Sequence, residues 1–217
     1  MENSTESEKI MSQAEQAQLI KITKKMAEND LMRGRVKWVK RWMVVDLALH
    51  AGLTVAEIAN LRVGDVKLAE NSIFVRKGKF SKPGNVDIDN ELAKHLASYL
   101  KWKKLRGEPI DHDAHFLAHL NTDRNYSISG VQSLFKESLR QAGLSERYTI
   151  SSCRHTFAAN IFEVTKDLTL LQKQLRHSSI AVTSDYVDTV LSKVRQATET
   201  ENGGVEICPT CHQIVTR

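Results

Sequence analysis

The sequence is poor in cysteine and proline and has no long hydrophobic run. Its 217 residues include 3 cysteines and 3 prolines, so neither a disulfide-stapled scaffold nor a proline-rich chain is indicated. No apolar stretch approaches the ~20 residues of a membrane-spanning helix. The first residues, Met1–Glu8, are acidic and polar, unlike a signal peptide, and we expect them to be disordered. We therefore expect a cytoplasmic protein.

Basic residues are concentrated in one segment. Hydrophobic residues make up 41% of the chain, enough for a core, and the net charge is only +5. Between Lys21 and Arg41, however, eight basic residues stand against two acidic ones, a net charge of +6. Such a segment is either the polar face of an amphipathic helix or a ridge that follows a phosphate backbone. On the second interpretation, Lys37, Lys40 and Arg41 contact DNA.

The pattern of apolar residues predicts a mainly helical chain with one small β-hairpin. Predicted helices cover residues 14–28, 36–50, 90–104, 129–143, 152–164, 168–176 and 182–198. The strands Ser72–Arg76 and Asn85–Ile88 flank a turn rich in glycine and lysine, as in a hairpin. We expect a polar and basic N-terminal part (1–35), a main domain (36–198) and a tail (199–217).

Three residues near the C-terminus have the chemistry of a phosphodiester site. Arg154 offers a planar fork of donors for two phosphate oxygens, and His177 can donate to a third. Tyr186 carries a phenol that, once deprotonated beside cations, can act as a nucleophile. Taken singly, each of these residues would more often lie on a solvated face or in a core.

The spacing of these residues resembles the signature of the tyrosine recombinases, the phage integrase and Xer family. The matching runs are Arg154-His-x-x-Ala, Leu175-x-His-x-Ser and Thr183-x-x-Tyr186. The resemblance implies the tyrosine-recombinase catalytic-domain fold and cleavage of duplex DNA through a 3′-phosphotyrosine bond. It implies no metal or nucleotide for catalysis, because the phosphotyrosine conserves the energy of the cut bond. It also implies a nucleoid-associated protein of DNA recombination and integration, typical of mobile elements.

Upstream segments extend the resemblance from about residue 36 to residue 194. Residues 49–66 resemble the family's helix-turn-helix around its first catalytic arginine, and Glu57 matches the acidic residue that supports that site. The hairpin resembles the one that carries the family's catalytic lysine, so Lys79 is the candidate general acid. The resemblance further suggests DNA contacts for neighbouring basic residues, namely Arg62, Lys77, Lys82 and Arg176.

Two catalytic positions differ from the family pattern. Thr54 stands where the family has its first arginine, and Ser151 stands where it has the histidine of the second box. Loss of one transition-state donor costs on the order of 10²–10³ in rate. Three functions stay open: an active recombinase, an accessory protein that keeps the fold and binds DNA but barely cuts it, and, as the least favoured, a protein-interaction module that uses the tail and the C-terminal helix.

The resemblance also bears on partner chains. Family members usually have a separate core-binding domain, and only about 35 residues precede the matching region here. We therefore expect reliance on a homo-oligomer or on other recombinase chains on DNA. An apolar stripe after Tyr186 (Val187, Val190, Leu191 and Val194) would either fold back on its own domain or dock on another chain.

The tail contains a Cys-x-x-Cys-His sequence. Cys208, Cys211 and His212 follow a glycine-containing linker and resemble half of a zinc site. The same residues are typical first of reduced free thiols, and they also match, as the most remote alternative, a c-type haem attachment sequence. A zinc ion at the tail is thus one of three alternatives.

Overall fold

A computed structural model describes residues 10–76, 82–119 and 124–188, together with the backbone of two short strands at 206–207 and 214–215. The predicted disorder of residues 1–8 and the hairpin tip with Lys77 and Lys79 lie outside the described residues. So do the tail residues Cys208, Cys211 and His212.

The described chain is mainly helical, as predicted. The helices are α1 (Gln13–Met32), α2 (Lys37–His50), α3 (Val55–Asn60), α4 (Asn90–Leu105), α5 (Ile128–Ala142), α6 (Ile150–Thr165), α7 (Leu168–Leu175) and α8, described over 180–188. Within the described ranges, no helix combines the length and apolar composition needed to cross a bilayer.

Local capping residues fix the helix ends. Ser12 and Glu15 form a reciprocal capping box at the start of α1. The Asp167 side chain accepts hydrogen bonds from the first turn of α7, and Gly143 ends α5 in a left-handed conformation. The caps at Asp167 and Gly143 are short-range interactions, which explains why the sequence predicted these two helix ends.

The hairpin belongs to a three-stranded antiparallel sheet. Its strands are β1 (Val66–Lys67), β2 (Ser72–Val75) and β3 (Gly84–Asp87), in that order. In the pairing of β2 with β3, Ile73 lies opposite Val86, and both are fully buried. This register turns the apolar face of the sheet toward the helices. Two further short strands pair as β4 (Glu206–Ile207) and β5 (Ile214–Val215).

One large hydrophobic core includes α1. Leu19 and Ala27 of α1 are fully buried in the same cluster as Met43 and Leu47 of α2. The packing therefore does not separate residues 10–35 from the main domain, in contrast to the boundary expected from composition. The polar N-terminal composition hid this because only every third or fourth residue of α1 faces the core.

A smaller cluster holds the C-terminal helices together. Val187 is 5% exposed and packs with Phe157, Leu171 and Leu175. The first residue of the apolar stripe thus folds back on its own domain. Val190, Leu191 and Val194 lie outside the described residues.

Candidate active site

Arg154 projects from α6 and is held by two backbone carbonyls. Its Nη1 donates to the Gly52 oxygen and its Nη2 to the Leu175 oxygen, both at 2.7 Å. Gly52 has φ +58°, and a Cβ there would overlap the Phe157 ring at 2.3 Å, so only glycine brings this carbonyl so close. Burial lowers the pKa of Arg154 and the nearby Glu57 opposes that shift. The guanidinium stays charged at any working pH.

Tyr186 lies on α8 between two histidine rings. Its Oη is 2.6 Å from Nδ1 of His155, the residue that follows Arg154. The ring centroids of His155 and His177 are 5.1 and 5.2 Å from that of Tyr186. With Nδ1 unprotonated, the phenol donates to this nitrogen, so His155 is placed to accept the proton when Tyr186 ionises.

His177 is a neutral imidazole in the unliganded protein. Burial, followed by the charges of Arg154 and Arg176, lowers the pKa of His177 to about 4. Its Nδ1 is 3.2 Å from the Thr183 hydroxyl. At neutral pH the ring therefore offers one N–H, as expected of a group that donates to a phosphate oxygen.

Thr54, which the sequence resemblance predicted to stand at an arginine position, has a structural role. It is the N-cap of α3: its Oγ1 accepts from the Glu57 amide at 3.3 Å, and Glu57 Oε2 accepts from the Thr54 amide at 2.8 Å. This capping box fixes the carboxylate of Glu57 beside the site.

Glu57 lies between two arginines. Its Oε1 is 2.8 Å from Nη2 of Arg176, and its Oε2 is 3.8 Å from Nη1 of Arg154. Burial alone would raise the pKa of Glu57, but Arg176 and then Arg154 outweigh it and hold that pKa below its ordinary value. The carboxylate is therefore ionised and forms an ion pair with each of the two guanidinium groups.

The structure brings some of the remaining predicted residues to the site and not others. Ser151 is exposed in the first turn of α6. Lys82 follows the hairpin turn, and its Nζ is 3.3 Å from the Ser178 carbonyl, beside His177. Lys77 and Lys79 lie outside the described residues.

Among the predicted DNA contacts, the prediction for Lys40 is wrong. Its side chain is 1% exposed, and its Nζ is 3.3 Å from Glu108 Oε1 and 2.6 Å from the Ala118 oxygen. Glu108 and the Ala118 carbonyl thus hold the Lys40 ammonium inside the core, where it is part of a buried ion pair and not of a DNA-facing surface. Lys37, one turn earlier, is exposed.

The other predicted contacts have mixed surroundings. Arg41 stacks on Trp38, with Cζ 4.5 Å from the ring centroid. Arg62 is half-buried and donates to the Asp113 carbonyl oxygen at 2.7 Å. Arg176 is 4% exposed, so it belongs to the interior of the site and not to an outer DNA-facing surface.

Two contacts of this site were missed by sequence reasoning. The hydrogen bond from Tyr186 to His155 and the ion pair from Arg176 to Glu57 join residues 31 and 119 positions apart. His155 and Arg176 both stand inside the matching runs, next to Arg154 and His177, but nothing in the order of residues shows the direction of their side chains.

The described residues include no group of three or more His, Cys, Asp or Glu that could hold a metal ion. Cys153 is buried, and burial raises the pKa of its thiol well above the usual range. A metal-ligand role for Cys208, Cys211 and His212 stays a prediction.

The profile of the phage integrase family matches residues 5–191. The chain belongs to the phage integrase family. Tyrosine recombinase XerA of Thermococcus kodakarensis is 31% identical over 159 residues, which are 72% of this family member and 54% of XerA. Tyrosine recombinase XerC of Yersinia pestis is 32% identical over 143 residues, or 66% of this chain and 46% of XerC. This phage integrase family member thus spans about half the length of the curated relatives it matches.

Solved structures agree with the fold of this family member. The crystal structure of XerA recombinase superimposes with a TM-score of 0.68 at 26% identity, covering 90% of this chain and 65% of that one. The Tn1549 transposon integrase, solved with transposon right end DNA, gives 0.66 at 14% identity, with 91% and 68% coverage. The predicted catalytic-domain fold, mainly α with a small antiparallel sheet, is confirmed.

Proposed function

We propose that this protein breaks and rejoins duplex DNA through a covalent 3′-phosphotyrosine. One observation carries the proposal: the Tyr186 phenol lies between the His155 and His177 rings, and the Arg154 guanidinium contributes to the electrostatics of the same site. The proposed nucleophile, its proton acceptor and the hydrogen-bond donors for the phosphate oxygens thus lie close together. Phosphoryl transfer requires such an arrangement.

The reaction follows from these roles. Tyr186 Oη loses its proton to His155 and attacks the scissile phosphorus, while Arg154 and His177 stabilise the developing charge on the non-bridging oxygens. A bond forms from the tyrosine oxygen to the 3′ phosphate, and the bond to the 5′ oxygen breaks. That oxygen takes a proton from Lys79, the role that family resemblance gives it. In rejoining, a 5′ hydroxyl gives its proton to Lys79 and attacks the phosphotyrosine, the bond to the tyrosine oxygen breaks, and His155 returns its proton to the Tyr186 phenolate.

The substrate and partners are part of this proposal. Relatives of the same fold include XerH, solved on a difH substrate in a post-cleavage complex. We infer duplex DNA as the substrate of this chain, further recombinase protomers on the DNA as its partners, and a nucleoid location. The reaction needs no cofactor, because the phosphotyrosine conserves the energy of the broken bond. A zinc ion at the tail would then be structural.

Covalent capture from a random pool tests the proposal and finds the target sequence at the same time. The purified chain is incubated with a pool of nicked duplexes with randomised arms, and adducts that survive denaturation are recovered and sequenced. We expect enrichment of one sequence and loss of all adducts in Tyr186→Phe with nearly unchanged duplex binding, because only one hydroxyl is removed. Tyr126→Phe, which removes a tyrosine hydroxyl outside the site, is the matched control.

The same experiment discriminates the rival function. Thr54 and the exposed Ser151 favour an accessory protein that binds DNA without cutting it. Saturable duplex binding with no adduct from any sequence in the pool would establish that rival. An adduct that persists in Tyr186→Phe would remove Tyr186 from the chemistry.

A further inference from the structure

A buried carboxylate makes the charge of this site depend on Arg176. Glu57 is 5% exposed at its side chain and ionised, and Arg154 lies 3.8 Å from it. One arginine and one carboxylate give no net charge, and a neutral pair attracts a phosphodiester anion weakly. Thr54 contributes a hydroxyl and no charge.

Arg176 supplies the second positive charge. Its guanidinium is 2.8 Å from Glu57 Oε1. Arg154 is nearest to the other carboxylate oxygen of Glu57, Oε2. The two guanidinium groups together with the carboxylate carry a net charge of +1. Both arginines act on His177, since each lowers the pKa of that imidazole. The two cations thus share one site and are not separate surface groups.

The backbone and one unsatisfied donor also mark Arg176 as unusual. It ends α7 in the left-handed region, at φ +58°, where glycine is the ordinary choice. Its Nη1 donates to the Gln174 carbonyl at 3.0 Å, but its Nε is buried and has no hydrogen-bond partner within the described part of the chain. A buried N–H without a partner is costly and calls for an acceptor. A phosphate oxygen beside His177 would be one.

We propose that Arg176 is the second phosphate-binding cation of this site and replaces the arginine absent at Thr54. The two positions reach Glu57 from different segments: residue 54 precedes α3, and residue 176 follows α7. The inference rests on the proposed function and deepens it, because it names the residue that restores charge to the phosphate site.

A charge-relocation experiment tests the replacement. Arg176→Gly relieves the left-handed backbone and removes the cation, and Arg176→Gly with Thr54→Arg puts a cation back from the other side of Glu57. Adduct formation on the selected duplex should fall on the order of 10²–10³-fold in the single variant, and the double variant should recover most of that loss. A folded double variant without recovery would overturn the proposal.

Lys166 provides the matched control. It also ends a helix in the left-handed region, at φ +52°, but it is exposed and follows α6. Lys166→Gly removes one positive charge and the same backbone strain, and we expect adduct formation at the wild-type rate. Equal rates for the glycine variants at 166 and 176 would overturn the proposal.

Two further measurements cover failure to fold and failure of the proposed function. If Arg176→Gly does not fold, the rate of adduct formation by Arg176→Lys is compared with that of Arg176→Gln. A faster lysine variant supports the proposal, and equal rates contradict it.

If the wild type forms no adduct on any duplex, the proposed function fails, and phosphate binding by Arg176 is then tested by the NMR response of His177 to inorganic phosphate. Loss of that response in Arg176→Gly but not in Lys166→Gly supports phosphate binding by Arg176; any other result contradicts it.

Discussion

Lys37 and Lys40 lie one helical turn apart on α2 but have different surroundings. Lys37 is exposed, whereas Lys40 is 1% exposed and shares the buried Glu108 carboxylate with Lys103, each at 3.3 Å. Burial of the Lys40 ammonium lowers its pKa, and the contact with Glu108 opposes that shift. At the scale of single residues, the one lysine is available to DNA and the other stabilises the interior.

Replacement of Lys37 should affect DNA binding and leave folding alone. For Lys37→Gln we expect weaker binding to unrelated duplexes and a log-log salt slope reduced by about 0.9, the value of one lost phosphate contact. The free energy of unfolding should change by no more than about 0.5 kcal/mol. Fluorescence anisotropy over a salt series measures the slope. Lys94→Gln, an exposed lysine already paired with Glu91, is the control, and an unchanged slope in Lys37→Gln would remove that residue from the DNA footprint.

Replacement of Glu108, in contrast to replacement of Lys37, should lower the stability of the fold. Glu108→Gln leaves two buried ammonium groups without a counter-charge, and loss of one partner of a buried ion pair costs roughly 3–5 kcal/mol. Urea denaturation measures this loss. The exposed pair of Glu91 and Lys94 provides the contrast, since Glu91→Gln should leave the midpoint nearly unchanged. Similar midpoints for the two variants would contradict the buried cluster.

Contacts between secondary-structure elements position the segment that carries His177. The backbone N–H of Lys82 donates to the Arg176 carbonyl at 3.2 Å, and Asp87 of β3 accepts from Lys173 and Gln174 of α7 at 2.8 and 3.0 Å. The hairpin that resembles the family's lysine-bearing hairpin is thereby fixed against the segment that carries His177. A further contact between elements joins Asp46 of α2 to His95 of α4.

The Asp46 contacts predict a pH dependence of stability. Burial acts to raise the pKa of Asp46, but the contacts with His50 and His95 outweigh it and lower that pKa from 3.8 to about 2. The pKa of His50 is raised above 6.5, first by its contact with Asp46. The carboxylate therefore contributes stability above pH 3.8 that is lost as the pH falls toward 2. The histidine contributes stability below pH 6.5 that is lost as the pH rises through its raised pKa.

Asp46→Asn should weaken the dependence of stability on pH in both the acidic and the neutral range. We expect it to lower the free energy of unfolding at about pH 6 by about 1–3 kcal/mol, the cost of leaving buried polar groups unsatisfied. The wild-type loss of stability as the pH rises from 6.5 through the raised pKa of His50 should shrink in the variant. Thermal unfolding over a pH series measures both effects, and parallel wild-type and variant curves would show that these contacts do not determine the dependence.

At the scale of the whole molecule, the large core and the smaller cluster that includes Val187 of α8 support the site together. The chain spans about half the length of its curated relatives. The proposed chemistry cuts one strand per protomer, and exchange between two duplexes requires several protomers.

Assembly on DNA should therefore exceed one chain per duplex. Light scattering of the intact chain with a duplex that carries two inverted copies of the selected site should give at least two chains per duplex. A variant ending at residue 188 keeps Val187 in the core and should stay folded. If residues 189–217 dock on a neighbour, this variant should bind with less cooperativity. A one-to-one complex of the intact chain at every concentration would contradict strand exchange and favour the accessory function.

The sequence by itself determined the features that depend on near neighbours. Helical periodicity, the caps at Asp167 and Gly143 and the hairpin could be predicted because each depends on residues a few positions apart. The runs around Arg154, His177 and Tyr186 also identified the family, since they lie at set intervals along the chain. Only the tertiary structure decided which charges are buried and which of them meet. Lys40 proved to be an interior residue, and Arg176 came to lie on Glu57, 119 positions away. The physical reason is that the order of residues records where a charge stands on its helix, while the packing of distant segments decides what that charge faces.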